Sequence, residues 1–242
     1  LTTDTWVDGA PFSCSFDYSY DGTMRSLEGS LHRLGLEYID VLFIHDPDVF
    51  THGVEQQKVR FREAMEGCYR ALTRMREEGV VRGIGVGVND LQVMVDFMRS
   101  GDFDALLVAG RYTLLEQDAL TELLPLCEQR GTAIVIGGGL NGGILATGAV
   151  PGAKWNYAPA PTGILERVSQ IEAICRRHRV PLPAAALQFL LAHPAISSHI
   201  PGTRTLEQLE QVLALVSHPI EPAFWEDLKA AGLLRKDAPV PH

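Results

Sequence analysis

"IDVLFIHDPD", residues Ile39 to Asp48, is the stretch on which the fold turns. From Ile39 to Ile44 the run is apolar, broken only by Asp40, and it leads straight into His45, Asp46, Pro47 and Asp48. A short apolar run ended by turn formers reads as a strand covered on both faces. The strand is therefore placed at Ile39 to Ile44, with a histidine and two carboxylates at its end. Upstream, Asp21 is positioned to cap a helix in which Met24, Leu27, Leu31 and Leu34 follow helical spacing and Gly35 is the stop. Downstream, Phe61 to Glu78 reads as an amphipathic helix closed by Gly79, and Gly83 to Val88 as a second strand. The alternation then repeats. A helix from Leu91 to Met98 leads to a strand from Asp104 to Ala109, and a helix from Leu115 to Gln129 leads to a strand from Thr132 to Gly137. After a loop over Tyr157 to Gly163 come helices around Ile164 to His178 and Leu182 to Leu191, a strand from Ala195 to Ile200, and helices over Leu206 to Val216 and Pro222 to Ala231.

Short strands that are each followed by a helix require parallel pairing through helical crossovers, so the class is α/β. An open doubly wound sheet and a closed barrel of eight βα units both accept the pattern. In either, ligands gather at the C-terminal ends of the strands. His45, Asn89, Arg111, Gly137 to Gly139 and Pro201 to Arg204 all fall there. "GIGVG" lies inside a strand rather than in a strand-to-helix turn, which is the wrong context for a dinucleotide fingerprint. "GGGLNGG", Gly137 to Gly143, directly follows a strand. It reads either as a diphosphate cradle or as a plain flexible loop.

At 242 residues and 46% hydrophobic, the chain suits one large domain. A net charge of −9, with basic residues scattered singly, gives no reason to expect nucleic acid or an anionic membrane as partner, so a small molecule is expected. Cys14, Cys68, Cys127 and Cys175 lack metal-ligand spacing and read as reduced thiols, with no metal expected. No apolar run approaches the ~20 residues needed to span a bilayer, and the expected location is the cytoplasm.

Taken in order, "SLHRLGLEYIDVLFIHDPD", "EGVVRGIGVGVND", "GRYTLLEQ", "GGGLNGGIL" and "IPGTRTLEQLEQ" resemble the aldo-keto reductase superfamily from about Asp17 to Leu234. "FDYSYDG", "GRYTLLEQ" and "NGGIL" resemble its sugar and pyridoxal dehydrogenase branch, which includes L-fucose, D-threo-aldose, L-galactose and pyridoxal 4-dehydrogenases. The resemblance selects the TIM (β/α)8 barrel and makes these strands the fourth to eighth. Residues 1–242 would then form a single barrel domain whose N-terminal part lies outside the chain, which opens on Leu1.

The resemblance also implies hydride transfer between a nicotinamide and a carbonyl or carbinol carbon, without metal. A tyrosine serves as proton donor or acceptor, assisted by a lysine, an aspartate and a histidine. His45 matches that histidine; the family's other three residues come from earlier units, and no lysine precedes Lys58. Tyr18 and Tyr20 are read as loop and packing residues. A rival reading is a truncated, catalytically silent barrel that binds a nucleotide or a protein partner.

For the cofactor, the resemblance implies Asn89 at the carboxamide and backbone contacts from Gly138, Gly139, Leu140 and Gly143 to the diphosphate. Pro201, Gly202, Thr203, Arg204 and Gln208 fall at the adenosine end. A glutamine and a stacking tyrosine common in the family are replaced by Ala109 and Gly137. NADP-preferring members often carry cations where Gly202 and Gln208 stand, so NAD is favoured over NADP, although Arg204 offers one cation. Asp46 stands where many members have tryptophan, which suits a hydroxylated substrate, and equally suits a loop cap. Trp6 and Phe50 are pocket or packing residues. The expected reaction is oxidation of an aldose at C1 to a lactone, or of pyridoxal.

Overall fold

The computed structural model describes residues 15–241, which form two compact units, 15–104 and 105–241. The first unit opens with α1, Tyr20–Leu34. Its N-cap is Ser19, whose side chain accepts from the Gly22 amide, and Asp21 sits inside the first turn instead of capping it. Gly35 ends the helix at φ 65°, a left-handed conformation that costs glycine least. β1 covers Val41–His45 and so includes the histidine. The next helix starts at Val49, not at Phe61. Asp48 caps α2, Val49–Glu63; Gly53 interrupts it with φ 75° and ψ 163°; a π-helical turn, Ala64–Tyr69, then leads into α3, Arg70–Glu77. Without apolar periodicity before Gly53, the sequence gives no sign of that first turn. β2, Gly83–Val88, falls where expected, followed by α4, Leu91–Ser100, capped by Asp90.

β1 and β2 pair in parallel with Phe43 opposite Gly85 and His45 opposite Gly87. All six residues of β2 are buried, whereas in β1 only Ile44 is. The full cover expected for Ile39 to Ile44 is therefore found, among the described residues, only at Ile44. Among the described residues β1 has a strand partner in this unit on one side only, so Val41 and His45 remain exposed.

In the second unit β3 (Ala105–Ala109), β4 (Ala133–Gly137) and β7 (Ile196–His199) lie side by side, parallel and in that order. The single helix expected over Leu115 to Gln129 is instead a turn, a 3-10 segment (Asp118–Leu120) and α5, Leu123–Arg130. Two local features explain this. Thr113 Oγ1 accepts from the amides of Leu115 and Glu116, which holds that segment in a turn. Pro125 can be helical only in a first turn, where its missing N–H costs nothing, so α5 starts just before it.

A second surprise is the segment after β4. It carries a one-turn α6 (Ile144–Thr147) and a short antiparallel hairpin, β5 (Lys154–Trp155) with β6 (Ala158–Pro159). Asn156 and Tyr157 join the hairpin strands with φ 48° and 65°, the two left-handed residues that a tight hairpin turn requires. α7 (Thr162–His178), α8 (Leu182–Leu191), α9 (Leu206–Val216) and α10 (Pro222–Ala230) follow close to the expected bounds. The core of this unit contains Leu106, Ile134, Ile136, Leu187, Phe189, Phe224 and Trp225, all essentially inaccessible. No helix among the described residues is long and apolar enough to cross a membrane.

Candidate active site

In the first unit the candidate residues converge on the C-terminal end of β1. The Asp46 amide donates to Gly87 O at 3.0 Å, so pairing with β2 continues one residue past the strand. The chain then turns sharply, with Asp46 at φ 52°. A non-glycine residue held there is strained, and such strain gathers at functional sites. The turn brings the Asp46 carboxylate to 3.4 Å from His45 Nε2. His45 is mostly exposed, its side chain 74% accessible against 15% for Asp46. Burial pushes the Asp46 carboxyl above the usual carboxylate range; the neighbouring charge of Asp48 adds to this, while His45 and His52 oppose it.

Asp48, two residues on, is fully buried. One carboxylate oxygen accepts from the Thr51 amide at 2.9 Å, which caps α2, and the other accepts from the Asn89 amide at 3.4 Å. Asp48 thus ties the turn after β1 to the residue that follows β2. The structure brings His45, Asp46 and Asn89 to neighbouring strand ends by this route. Phe50, in the first turn of α2, is 65% exposed. Trp6 lies outside the described residues.

In the second unit the glycine-rich stretch is a tight turn rather than a loose loop. Asn141 donates its amide to Gly138 O and Gly143 to Leu140 O, while Gly138, Gly142 and Gly143 adopt φ of 60°, 68° and 97°. A side chain at Gly139 would collide with Leu190 and with the His199 ring at the end of β7. Local geometry therefore accounts for the glycines. Among the described residues the amides of Gly139 and Leu140 find no backbone acceptor, so the turn has donors to spare. Burial pushes the His199 imidazole below the ordinary histidine range.

Glu116 underpins this turn. Its Oε1 accepts from Asn141 Nδ2 at 3.0 Å and from Trp155 Nε1 at 3.0 Å, and its Oε2 accepts from Arg111 Nη1 at 2.9 Å. One carboxylate thus joins the segment after β3, the glycine turn and the hairpin. Pro201, Gly202, Thr203 and Arg204 form an irregular approach to α9, whose N-cap is Thr205. Thr205 Oγ1 accepts from the Gln208 amide and Gln208 Oε1 accepts from the Arg204 amide, a reciprocal cap that occupies the Gln208 side chain.

Sequence reasoning assigned a place but no role to Asp48, and neither to Glu116, Asn141 and Trp155. Asp48 is of a residue type suited to an N-cap, but with no apolar period after it no helix start is indicated there. Glu116 and Trp155 are 39 positions apart, and no local signal joins them.

Comparison with known proteins bears on the family and the fold. A profile of the Aldo/keto reductase family matches residues 9–232. Pyridoxal 4-dehydrogenase of Microbacterium luteolum is 42% identical over 95% of this chain and 67% of its own length. D-threo-aldose 1-dehydrogenase of a Pseudomonas species is 37% identical over 90% of the chain and 64% of its own. An aldo-keto reductase structure from Bacillus halodurans superposes with a TM-score of 0.69 over 94% of this chain and 71% of that one, at 20% identity, which speaks for the fold. The chain spans about two thirds of the length of the curated relatives it matches. With parallel strands, helical crossovers and a family match over most of its length, the chain belongs to the aldo/keto reductase family.

Proposed function

We propose that the chain supplies the fourth to eighth βα units of a single barrel domain in an NAD(P)-dependent oxidoreductase, one that oxidises an aldose at C1 to a lactone, or a pyridoxal-like compound. The observation that carries this reading is the strained turn after β1, which sets the Asp46 carboxylate 3.4 Å from His45 Nε2 at a strand end. His45 is exposed there and free to hydrogen-bond the reacting oxygen and orient it. Asp46 offers acceptor oxygens to neighbouring hydroxyls, which a tryptophan in its place would deny. Similarity to pyridoxal 4-dehydrogenase and to D-threo-aldose 1-dehydrogenase supports this substrate class.

The residues present fit a dinucleotide at the glycine turn, where the amides of Gly139 and Leu140 lack backbone acceptors. Gly138, Gly139, Leu140 and Gly143 would hold the diphosphate, Asn89 the carboxamide, and Pro201 to Arg204 the adenosine end. When bound, the nicotinamide supplies the hydride acceptor. Gln208 is engaged in the cap of α9, and neither it nor Gly202 brings a cation toward a 2′-phosphate, so NAD is favoured over NADP.

Steady-state assay of the full-length protein with L-fucose, L-galactose, D-arabinose and pyridoxal tests the reaction. Turnover of none of them, with either dinucleotide, would overturn it. Fluorescence titration tests the cofactor. A tenfold preference for NADP, about 1.4 kcal/mol, would mean that Arg204 outweighs the two absent cations. Asp46→Trp is expected to raise KM for polyhydroxylated substrates while NAD affinity stays unchanged.

A further inference from the structure

The π-helical turn over Ala64–Tyr69 lies directly behind the end of β1, and its wider pitch has a specific effect. In an α-helix the Cys68 amide would bond back four residues; here it donates to Tyr18 O at 3.0 Å. Gly67 permits the approach, because a Cβ at that position would run into the Tyr18 carbonyl. The turn therefore seats the backbone of Tyr18. The Tyr18 side chain is 5% exposed, and its hydroxyl donates to His45 O at 2.9 Å.

That carbonyl is the informative partner. Successive residues of a strand point their backbone groups to opposite sides. With the Asp46 amide bonded to β2, the His45 carbonyl faces away from β2. The Tyr18 phenol meets that carbonyl directly. It also lies 3.0 Å from His52 Nε2. Since the phenol has one hydrogen, and that one goes to His45, the hydrogen shared with His52 comes from the imidazole. His52 packs edge-on against Phe16 with ring centroids 4.7 Å apart, and burial holds its imidazole below the ordinary histidine range.

We propose that Tyr18, seated by the π-helical turn and oriented by His52, is a positioning residue that fixes the His45 backbone and so the aim of the His45 and Asp46 side chains. Asp46 is held from one side by β2 and His45 from the other by the phenol, which is how the strained φ of Asp46 can persist between them. This rests on the proposed role of His45 in oxidation, so the experiment reads the brace and the reaction separately.

In the full-length protein, Tyr18→Phe keeps the ring and removes only the hydroxyl. It is expected to lower kcat about tenfold while KM for the dinucleotide is unchanged, and to shift the His45 imidazole resonances in NMR spectra of the resting protein. His52→Gln, which keeps a donor at that place, should retain more of kcat than His52→Leu. Unchanged kcat together with unchanged His45 resonances in Tyr18→Phe would overturn the proposal. So would a lower melting temperature with kcat and His45 resonances both as in wild type, since that is packing alone. A wild-type protein inactive on every substrate, with His45 resonances that still move in Tyr18→Phe, would sink the oxidation reading and support the brace.

Discussion

The strand ends of the two units solve one problem in opposite ways. At the end of β1 the presented groups are side chains, His45 and Asp46, and the brace is assembled behind them from Asp48, Tyr18 and His52. At the ends of β3 and β4 the presented groups are backbone amides of the glycine turn, and a single carboxylate, Glu116, gathers the segments around it. Side chains need aiming, so several anchors act on the main chain at successive residues. A turn rich in glycine needs its backbone held against its own freedom, and one acceptor that reaches three segments suffices. In the first unit Asp48 and Tyr18 are buried behind the exposed His45, whereas in the second Glu116 is no more buried than the turn it gathers.

The largest effect expected from breaking this arrangement is at the presented side chain. His45→Ala in the full-length protein should lower kcat and kcat/KM by ~10²-fold or more, with dinucleotide affinity intact, as measured by steady-state kinetics and titration. The next is at the brace. Asp48→Ala removes a buried carboxylate that accepts from the part-buried amides of Thr51 and Asn89, and should cost about 2 kcal/mol in denaturant unfolding. Thr205→Ala removes a cap of the same kind from the exposed start of α9 and should cost about 1 kcal/mol or less. If the two losses are equal, burial is not what distinguishes them.

In the second unit Glu116→Ala should weaken dinucleotide binding about fivefold and leave kcat at saturating cofactor nearly unchanged, because it loosens the turn without touching the reacting groups. Faster amide exchange at Gly138 to Gly143 would show that the turn is what moved. The smallest effect is the pH dependence. Burial lowers the imidazole pKa of His52, His193 and His199 below the ordinary histidine value of about 6.5. Between the folded and unfolded pKa values, unfolding therefore takes up protons. Stability should fall as pH drops below about 6.5 and level off once the folded rings also protonate. Asp46 acts in the opposite sense, because its raised pKa relieves part of its burial cost as pH falls through that value. Thermal unfolding between pH 8 and 5 measures the sum. Amide exchange read by segment should show the larger loss in the second unit, which holds two of the three rings.

Most of the framework was legible because it rests on local patterns. β2 and α9 fall on the expected residues, since alternation and helical period are written in consecutive positions. The placement of His45 at a strand end was legible for the same reason. What stayed hidden has nonlocal or backbone causes. Nothing near Val49 announces a helix start, because Gly53 breaks the period within one turn. Pro125 and Thr113 together override the apolar spacing that reads as one long helix. Tyr18 reads as a packing residue until a strand end 27 positions away needs a donor. Burial of β1 was misjudged because an apolar run reports the surroundings its residues are suited to, not the neighbours that the described residues provide.

The cysteines of the described residues turn this architecture into a clock. Cys68 lies in the first unit, Cys127 and Cys175 in the second; all three are buried and unpaired, and burial pushes the thiols up, to about 12 for Cys127 and Cys175. A thiol in that state reacts with an alkylating reagent only when the structure around it opens. Labelling under native conditions, resolved by peptide, therefore times the opening of each unit by its own native reporter. Cys68, donated to by the Thr23 hydroxyl and set beside the amide that seats Tyr18, would register the loosening of that seat.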